Sequence, residues 1–376
     1  MKFLKFACVP ALALALVGCG GSEPSAATAA RSYEPKVAEG SYGAVQYRKN
    51  SSKALAPLAE AARKCFNQGL EAGKKGNGEV AKFDDDVVKF LNDSGLKDAD
   101  LEWGLVTLGN VSVADMTSGK APDLAVALCF KHDIARIVDA IKANLDAEDG
   151  EKIESATVAG VAAWTASSKD FPPEVKPAFA SLDGTLLIGA SSVDVLARQI
   201  ALYRDGKGAD ASFAKLSSDS GALFRLYVKD VGGSVAKAIK GSEDMLDAAN
   251  MVLPDGKNII LGLGELDFSI TGSDTAGAAV ALRLATRSAD DANNLQSLIG
   301  GGLVPLRAQF QNAEDEQSKS AYELLSALKI AAKDSVFTAD LPLSDKLVKD
   351  FAAQMLQGAA AVTNDESDDA DDVDAE

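Results

Sequence analysis

Few residues in this sequence have the types and spacing that catalysis requires. His132 is the single histidine, so a Ser-His-acid triad would need it, yet no G-x-S-x-G turn supplies the serine. Its position at a predicted turn before a helix is more typical of a helix-flanking polar residue. Ser234-Val-Ala-Lys237 fits the S-x-x-K pattern of serine acyl enzymes, but the K-T-G motif that accompanies that pattern is absent. The sequence therefore argues against hydrolases of both kinds.

The cysteines and acidic residues form no recognisable metal or cofactor site. Cys65 and Cys129 are far apart in the sequence, and no C-x-x-C pair occurs. In an oxidising compartment these two residues could form a disulfide, or they could remain two buried thiols. Asp84-Asp85-Asp86 suits the N-terminus of a helix better than a metal ion. We expect no cofactor and no metal.

Trp103 and Trp164 are the candidates for a ligand surface. Trp103 lies ahead of one predicted strand and Trp164 lies within another. Core packing is the more common role for tryptophan. A pair of catalytic carboxylates stays open as an alternative, because 55 acidic residues offer many pairs and a sequence gives no distances.

The first 19 residues, MKFLKFACVPALALALVGC, combine a positive start with a short apolar run. The run is too short to span a bilayer, and the pattern is that of a signal peptide. Leu16-Val17-Gly18-Cys19 resembles the lipobox of bacterial lipoproteins, in which the cysteine receives a diacylglyceryl group and becomes the mature N-terminus. The resemblance implies a lipid on Cys19 and a place in the cell envelope. The alternative is an ordinary secretory signal with a chance cysteine.

The residue after this cysteine influences sorting in that family. Gly20 is not the aspartate that marks retention in the inner membrane of enteric bacteria, so the resemblance favours the outer membrane.

The charge of the chain disfavours nucleic acid as a partner. Removing Lys2 and Lys5 with the signal peptide leaves 36 of the 38 basic residues against 55 acidic ones, a net charge of −19. Phosphate binding requires clustered lysine and arginine. Hydrophobic content of 47% and charged content of 25% are typical of a globular body.

The order of predicted elements indicates an internal repeat. AVALCF (residues 125–130) reappears as AVALRL (residues 279–284), and each is followed by an amphipathic helix. Ahead of them, a strand and a helix begin near Ser41 and again near Ser220. The later elements are strands at 157–166 and 185–190 with a helix at 193–203, matched by strands at 328–332 and 335–341 with a helix at 345–356 capped by Ser344.

Short connections such as residues 264–277 indicate hairpins and antiparallel pairing. The predicted fold class is α+β, with two similar halves, each a mainly antiparallel sheet with helices packed on one face. The predicted regions are a signal peptide (1–18), a flexible tether (19–40), a first half (41–210), a hinge near 205–220, a second half (219–358) and an acidic disordered tail (359–376).

These features favour a non-catalytic lipoprotein of the cell envelope. It would contact the membrane through its N-terminal lipid and bind another envelope protein or a small ligand. One alternative is a periplasmic hydrolase that uses carboxylates. The other is a carrier of lipids or hydrophobic molecules, which requires an apolar cavity of roughly 300 Å³ or more.

Overall fold

The computed structural model describes residues 33–49, 52–61, 101–109, 123–131, 133–146, 151–168, 176–218, 222–238, 256–312 and 315–364. Within these ranges the chain is an α+β protein with twelve strands in one antiparallel sheet. The strands are β1 (Gly43–Arg48), β2 (Leu101–Leu108), β3 (Leu124–Phe130), β4 (Glu151–Val158), β5 (Val161–Ser168), β6 (Ala178–Leu182), β7 (Leu186–Ala190), β8 (Ala222–Val228), β9 (Leu266–Ser273), β10 (Gly277–Ala285), β11 (Lys329–Lys333) and β12 (Val336–Leu343).

The α-helices with described bounds lie between and after these strands. They are α1 (Ala135–Asp146), α2 (Val193–Asp205), α3 (Ala214–Ser218), α4 (Val231–Ala238), α5 (Gly256–Leu261), α6 (Ala289–Phe310), α7 (Glu316–Ala327) and α8 (Asp345–Asn364). A 3₁₀ turn (Ala211–Phe213) precedes α3, and residues 56–61 are helical.

The sheet has the order β11-β12-β10-β9-β8-β1-β2-β3-β7-β6-β5-β4. β1 pairs with β8, residues 43–47 lying against 224–228. Strands from the two predicted halves are therefore neighbours in a single sheet. The backbone groups that each half would otherwise leave at an open edge are paired across this seam.

One predicted strand, residues 157–166, is in fact a hairpin of β4 and β5. Ala159 and Gly160 form its two-residue turn, with φ angles of 49° and 77°. Positive φ at both central residues is the geometry of a tight hairpin turn. The prediction was wrong because the apolar alternation continues across Ala159-Gly160 without the usual Asn or Asp.

A hydrophobic core lies on one side of the sheet, here called the front face. Ala127 of β3, Ala180 of β6 and Ile188 of β7 point to this face and contact α2 through Leu196 and Ile200, both 0% exposed. α2 begins where the sequence predicts, because the Ser192 side chain accepts from Val195 N, and it ends at Gly206 with φ 69°.

Helix α1 lies on the opposite side, the back face. Side chains alternate between faces along a strand, and antiparallel partners share a face. Trp164 pairs with Phe179, which pairs with Gly189 beside Ile188, so both rings are on the back face. Lys142 of α1 sits over the Trp164 ring, 4.2 Å from its centroid. The prediction of helices on one face is therefore wrong for this part of the sheet, since α1 and α2 cover opposite faces.

The helices after β10 all lie on the back face. Val280, Ile270 and Leu341 share that face by register, and they pack with Leu324 of α7 and Val348 of α8 in one cluster. α6 joins this layer: a Cβ on Gly300 would meet Ile330 at 3.3 Å.

Three predicted boundaries are corrected by packing. Residues 33–40, predicted as tether, belong to the folded body because Tyr33 and Val37 are buried in the core. The predicted hinge holds the 3₁₀ turn and α3, with Phe213 and Leu216 buried. The predicted tail begins too early, since α8 continues to Asn364.

None of the described helices is long and apolar enough to cross a membrane.

Candidate functional site

Cys129 is a free, buried thiol, 1% exposed, in the front-face core. Burial, together with the charge of Glu102, raises its pKa to about 11, so it is a poor nucleophile at neutral pH. The predicted disulfide with Cys65 is not formed in this structure. Cys65 itself, the predicted lipid site Cys19 and His132 lie outside the described residues.

Trp103 is a core residue within β2, where the sequence predicted a position ahead of a strand. It is 3% exposed, its Nε1 donates to the Tyr33 carbonyl at 2.7 Å, and its ring stacks on Tyr203 with centroids 6.0 Å apart. Its polar group is satisfied inside the core, so Trp103 offers no ligand surface.

Trp164 is half-buried and lies on the other face of the sheet. Its ring stacks on Phe179 at a centroid distance of 5.3 Å, and Lys142 covers it. Since Trp103 faces front and Trp164 faces back, the two predicted ligand-surface residues do not form one site.

Ser234, the serine of the S-x-x-K pattern, lies on α4 with its Oγ buried and without a hydrogen-bond partner. A serine nucleophile must be hydrogen-bonded to its base. The described part of α4 gives Ser234 no such base.

A polar cluster that the sequence analysis missed lies on the front face where β8 meets β1 and β9. Arg225 donates from Nε and Nη2 to the two carboxylate oxygens of Asp267, at 2.8 and 2.7 Å. Gln46 lies opposite Arg225 in β1, and its Nε2 is buried without a partner. A charged residue inside each apolar strand, ALFRLYV and LDFSI, was the available signal.

The segment between α2 and β8 lies over this cluster and is held there by hydrogen bonds and an ion pair. The third donor of Arg225, Nη1, bonds the Lys215 carbonyl of α3 at 3.2 Å. Lys229 forms an ion pair with Asp210. Burial opposes ionisation of Asp210, but hydrogen bonds from Lys229 and Ser212 outweigh it and lower the pKa of this carboxyl.

The cluster is suited to structure and recognition rather than to proton transfer. Lys229 and Ser212 lower the pKa of Asp210, so this carboxyl is not poised to take or give a proton near neutral pH. Both carboxylate oxygens of Asp267 are occupied by hydrogen bonds from Arg225. Within the described ranges, no group of three or more His, Cys, Asp or Glu side chains could hold a metal ion.

A small pocket of about 20 Å³ lies at the edge of the front-face core. It lies between β2, β3 and α2, and its lining includes Ser41, Thr107 and Gln199. Arg198 and Asp123, also in the lining, form an ion pair at 2.6 Å. A space of this size holds about one water molecule and is too small for a lipid chain.

Two further surfaces of the described part of the chain are exposed. On α6, Leu298, Val304 and Leu306 are 39%, 64% and 44% exposed. On the sheet, the front face of β10, β12 and β11, here called the open face, exposes Arg283, Asp340, Lys329 and Lys333. The register places these four side chains on the face that carries Tyr227 and Asp267.

No protein-family model matches the chain. No curated protein matches it. Among solved structures, the chain is similar to one described as crystal form I of TP0453, with 12% identity, a TM-score of 0.37, and coverage of 86% of this chain and 99% of that chain. A similarity of this size assigns neither a fold family nor a function.

Proposed function

We propose that this chain is a lipid-anchored protein of the bacterial cell envelope that acts without catalysis by docking a partner protein. The anchor rests on the lipobox pattern ending at Cys19. The docking role rests on one observation, the direct pairing of β1 with β8. Because the described strands of the two parts are directly hydrogen-bonded at this seam, we place recognition on the outer surfaces of the body.

The proposal includes a duplicated architecture. In one half, β1, β2 and β3 are neighbours and the hairpin β6–β7 lies beside β3. In the other, β8, β9 and β10 are neighbours and the hairpin β11–β12 lies beside β10. A helix follows the third strand and another follows the hairpin in both, so the order of elements supports two similar halves with β4–β5 as an addition to the first, although α2 and α8 lie on different faces of the sheet.

The two alternatives have less support. A carboxylate hydrolase needs two carboxyl groups that face a substrate in a cleft, whereas Asp267 and Asp210 are engaged in ion pairs with Arg225 and Lys229. A carrier needs an apolar cavity of roughly 300 Å³ or more, whereas the pocket beside Ser41 has a volume of about 20 Å³. Docking of a partner protein at the outer membrane is therefore the function that we propose first.

Lipid labelling tests the anchor. Cells producing the full chain are grown with a labelled fatty acid, and the protein is followed in membrane and soluble fractions. We expect label and membrane association in the original chain, and neither in Cys19→Ser. Cys8→Ser is the matched control, because Cys8 leaves with the signal peptide; it should keep both. Label that persists in Cys19→Ser would refute the proposal.

The same membrane fractions also show in which membrane the protein is anchored. Separated on a density gradient, the labelled protein should follow outer-membrane markers. Co-migration with inner-membrane markers would contradict the sorting inferred from Gly20.

A further inference from the structure

The open face is a part of the sheet that no described helix covers. Ala331 and Pro342 are exposed there although both belong to strands, and Ala281 is partly exposed in the middle of β10. Sheets in globular proteins normally have at least one face on the core, and the back face serves that purpose here. Among the residues that the structure describes, the front face of these three strands is therefore left uncovered.

The front face is covered by a helix in the first half and uncovered in the second. The reason is that α2 and α8 follow corresponding hairpins but lie on different faces of the sheet. α2 follows β7 and packs on the front face through Leu196. α8 follows β12 and packs on the back face, where Val348 contacts the cluster of Leu343. The layer of helices on the front face, made by α2 and α3, consequently ends over β8. There the backbone carbonyl of Lys215 in α3 accepts a hydrogen bond from Arg225.

The shape of the open face selects a narrow occupant. A layer of helices stands about 10 Å above a sheet, so the face is a step of about that depth beside α3. Three strands span about 14 Å, which is room for one helix. A flat bilayer would meet the α3 layer before it reached Ala281 or Ala331.

The charge of the open face selects an acidic occupant. Arg283, Lys329 and Lys333 are exposed on it against the single carboxylate of Asp340, an excess of positive charge on a chain whose net charge is −17. Two copies packed through this face would bring like charges together, which is unfavourable. An acidic partner is attracted to it.

We infer that the open face docks an acidic amphipathic helix of a partner protein. The helix lies in the step beside α3, with small side chains against Ala281 and Ala331 and carboxylates bonded to Arg283, Lys329 and Lys333. This inference rests on the proposed docking function and specifies its surface and its partner's chemistry.

Site-specific photo-crosslinking in producing cells tests this inference. A benzoylphenylalanine replaces Ala331 in the full chain, and Ala353, an exposed residue of α8, is the matched control position. Crosslinked peptides are then sequenced by mass spectrometry. We expect the probe at position 331, and not at 353, to join a segment of another protein that is acidic and of helical periodicity.

Reversing the charge of lysines on the open face tests whether the crosslinked partner is bound through the inferred ion pairs. Lys329→Glu and Lys333→Glu should each lower the crosslinking yield at position 331 by about tenfold, whereas Lys349→Glu, an exposed lysine of α8, should not. Changing acids of the crosslinked segment to lysine should restore the yield in Lys333→Glu. A thermal melt of each variant controls for folding.

Every other product overturns the inference. These products are a crosslink to residues 365–376 of the same chain, to a second copy or to lipid, a partner segment without acidic residues, or no crosslink at all. This outcome can be distinguished from failure of the anchor test. If Cys8→Ser and Cys19→Ser behave as expected but position 331 gives no crosslink, only the open-face inference is refuted.

Discussion

Arg225 and Asp267 form a two-bond ion pair that joins β8 to β9 within the sheet, with side chains only 11% and 8% exposed. The pair lies where the covered part of the front face meets the open face. Arg225 also bonds α3, so one guanidinium connects both strands to the segment above them. Planar geometry and five donors make arginine suited to this arrangement.

Removing one partner of this pair should strongly destabilise the protein. Asp267→Ala leaves a buried guanidinium without its counter-charge, and we expect a loss of about 3–5 kcal/mol in the free energy of unfolding, measured by urea denaturation. Asp139→Ala is the control, since its ion pair with Lys142 is on the surface and Asp139 is 75% exposed; that loss should stay below about 1 kcal/mol. Equal losses in the two variants would contradict this account.

Stability should fall as the pH rises above 9. The pKa of Cys129 is raised from 9.0 to about 11 in the folded state, so between these values the unfolded chain gives up a proton that the folded chain keeps. Alkaline pH then favours unfolding, by roughly 2–3 kcal/mol at pH 11. Burial also raises the pKa of Tyr203, which adds a loss of the same sign above pH 10.

Urea unfolding at pH 8, 9 and 10 measures this dependence. Cys129→Ala should reduce the decline between pH 9 and 10, and the remaining decline comes from Tyr203 and Tyr227, whose pKa values are also raised by burial. An unchanged decline would show that another group carries the effect.

Two helical glycines should respond in opposite directions to alanine. A Cβ on Gly232 would lie 2.0 Å from the Leu261 carbonyl oxygen, so Gly232→Ala forces α4 away from α5 and should cost at least about 2 kcal/mol. A Cβ on Gly302 of α6 meets nothing within 4 Å, and alanine there should stabilise the helix by about 0.5–1 kcal/mol. Thermal melts of both variants provide the comparison, and a stabilised Gly232→Ala would refute the packing of α4 on α5.

Neighbouring residues of α6 should show which side of that helix is buried. Leu303 is 6% exposed and Val304 is 64% exposed. Leu303→Ala should cost about 2–5 kcal/mol through the cavity it leaves, while Val304→Ala should stay within about 0.5 kcal/mol. Urea denaturation of the two variants makes the test. A large loss for Val304→Ala would mean that something covers this side chain in solution.

The periodic elements were readable from the residues. The β3 and β10 strands, α2 with Ser192 as its cap, and α8 with Ser344 bonded to Leu347 N all lie close to their predicted places. Periods of 2 and 3.6 residues and a capping side chain are local properties. The signal peptide and the lipid on Cys19 are likewise read from a contiguous pattern, and they remain predictions.

The candidate sites were much less readable. The sequence named Trp103 and Trp164 as candidates for a ligand surface, with core packing as the more common role, but it could not show that they lie on opposite faces of one sheet. It left open whether Cys65 and Cys129 form a disulfide or remain buried thiols, and the fold shows a buried free thiol at Cys129. Arg225 and Asp267 were visible as charges within apolar strands, yet nothing in their spacing, 42 residues apart, showed that they meet.

Local pattern therefore determined which segments are strands and helices, whereas tertiary structure alone decided their neighbours and faces. The pairing of β1 with β8 joins residues about 180 positions apart, and the choice of back face for α8 leaves the open face uncovered. Both depend on long-range packing, whose free energy is summed over many contacts between distant segments. A contact of that kind imposes no period on either segment, so no single stretch of sequence records it.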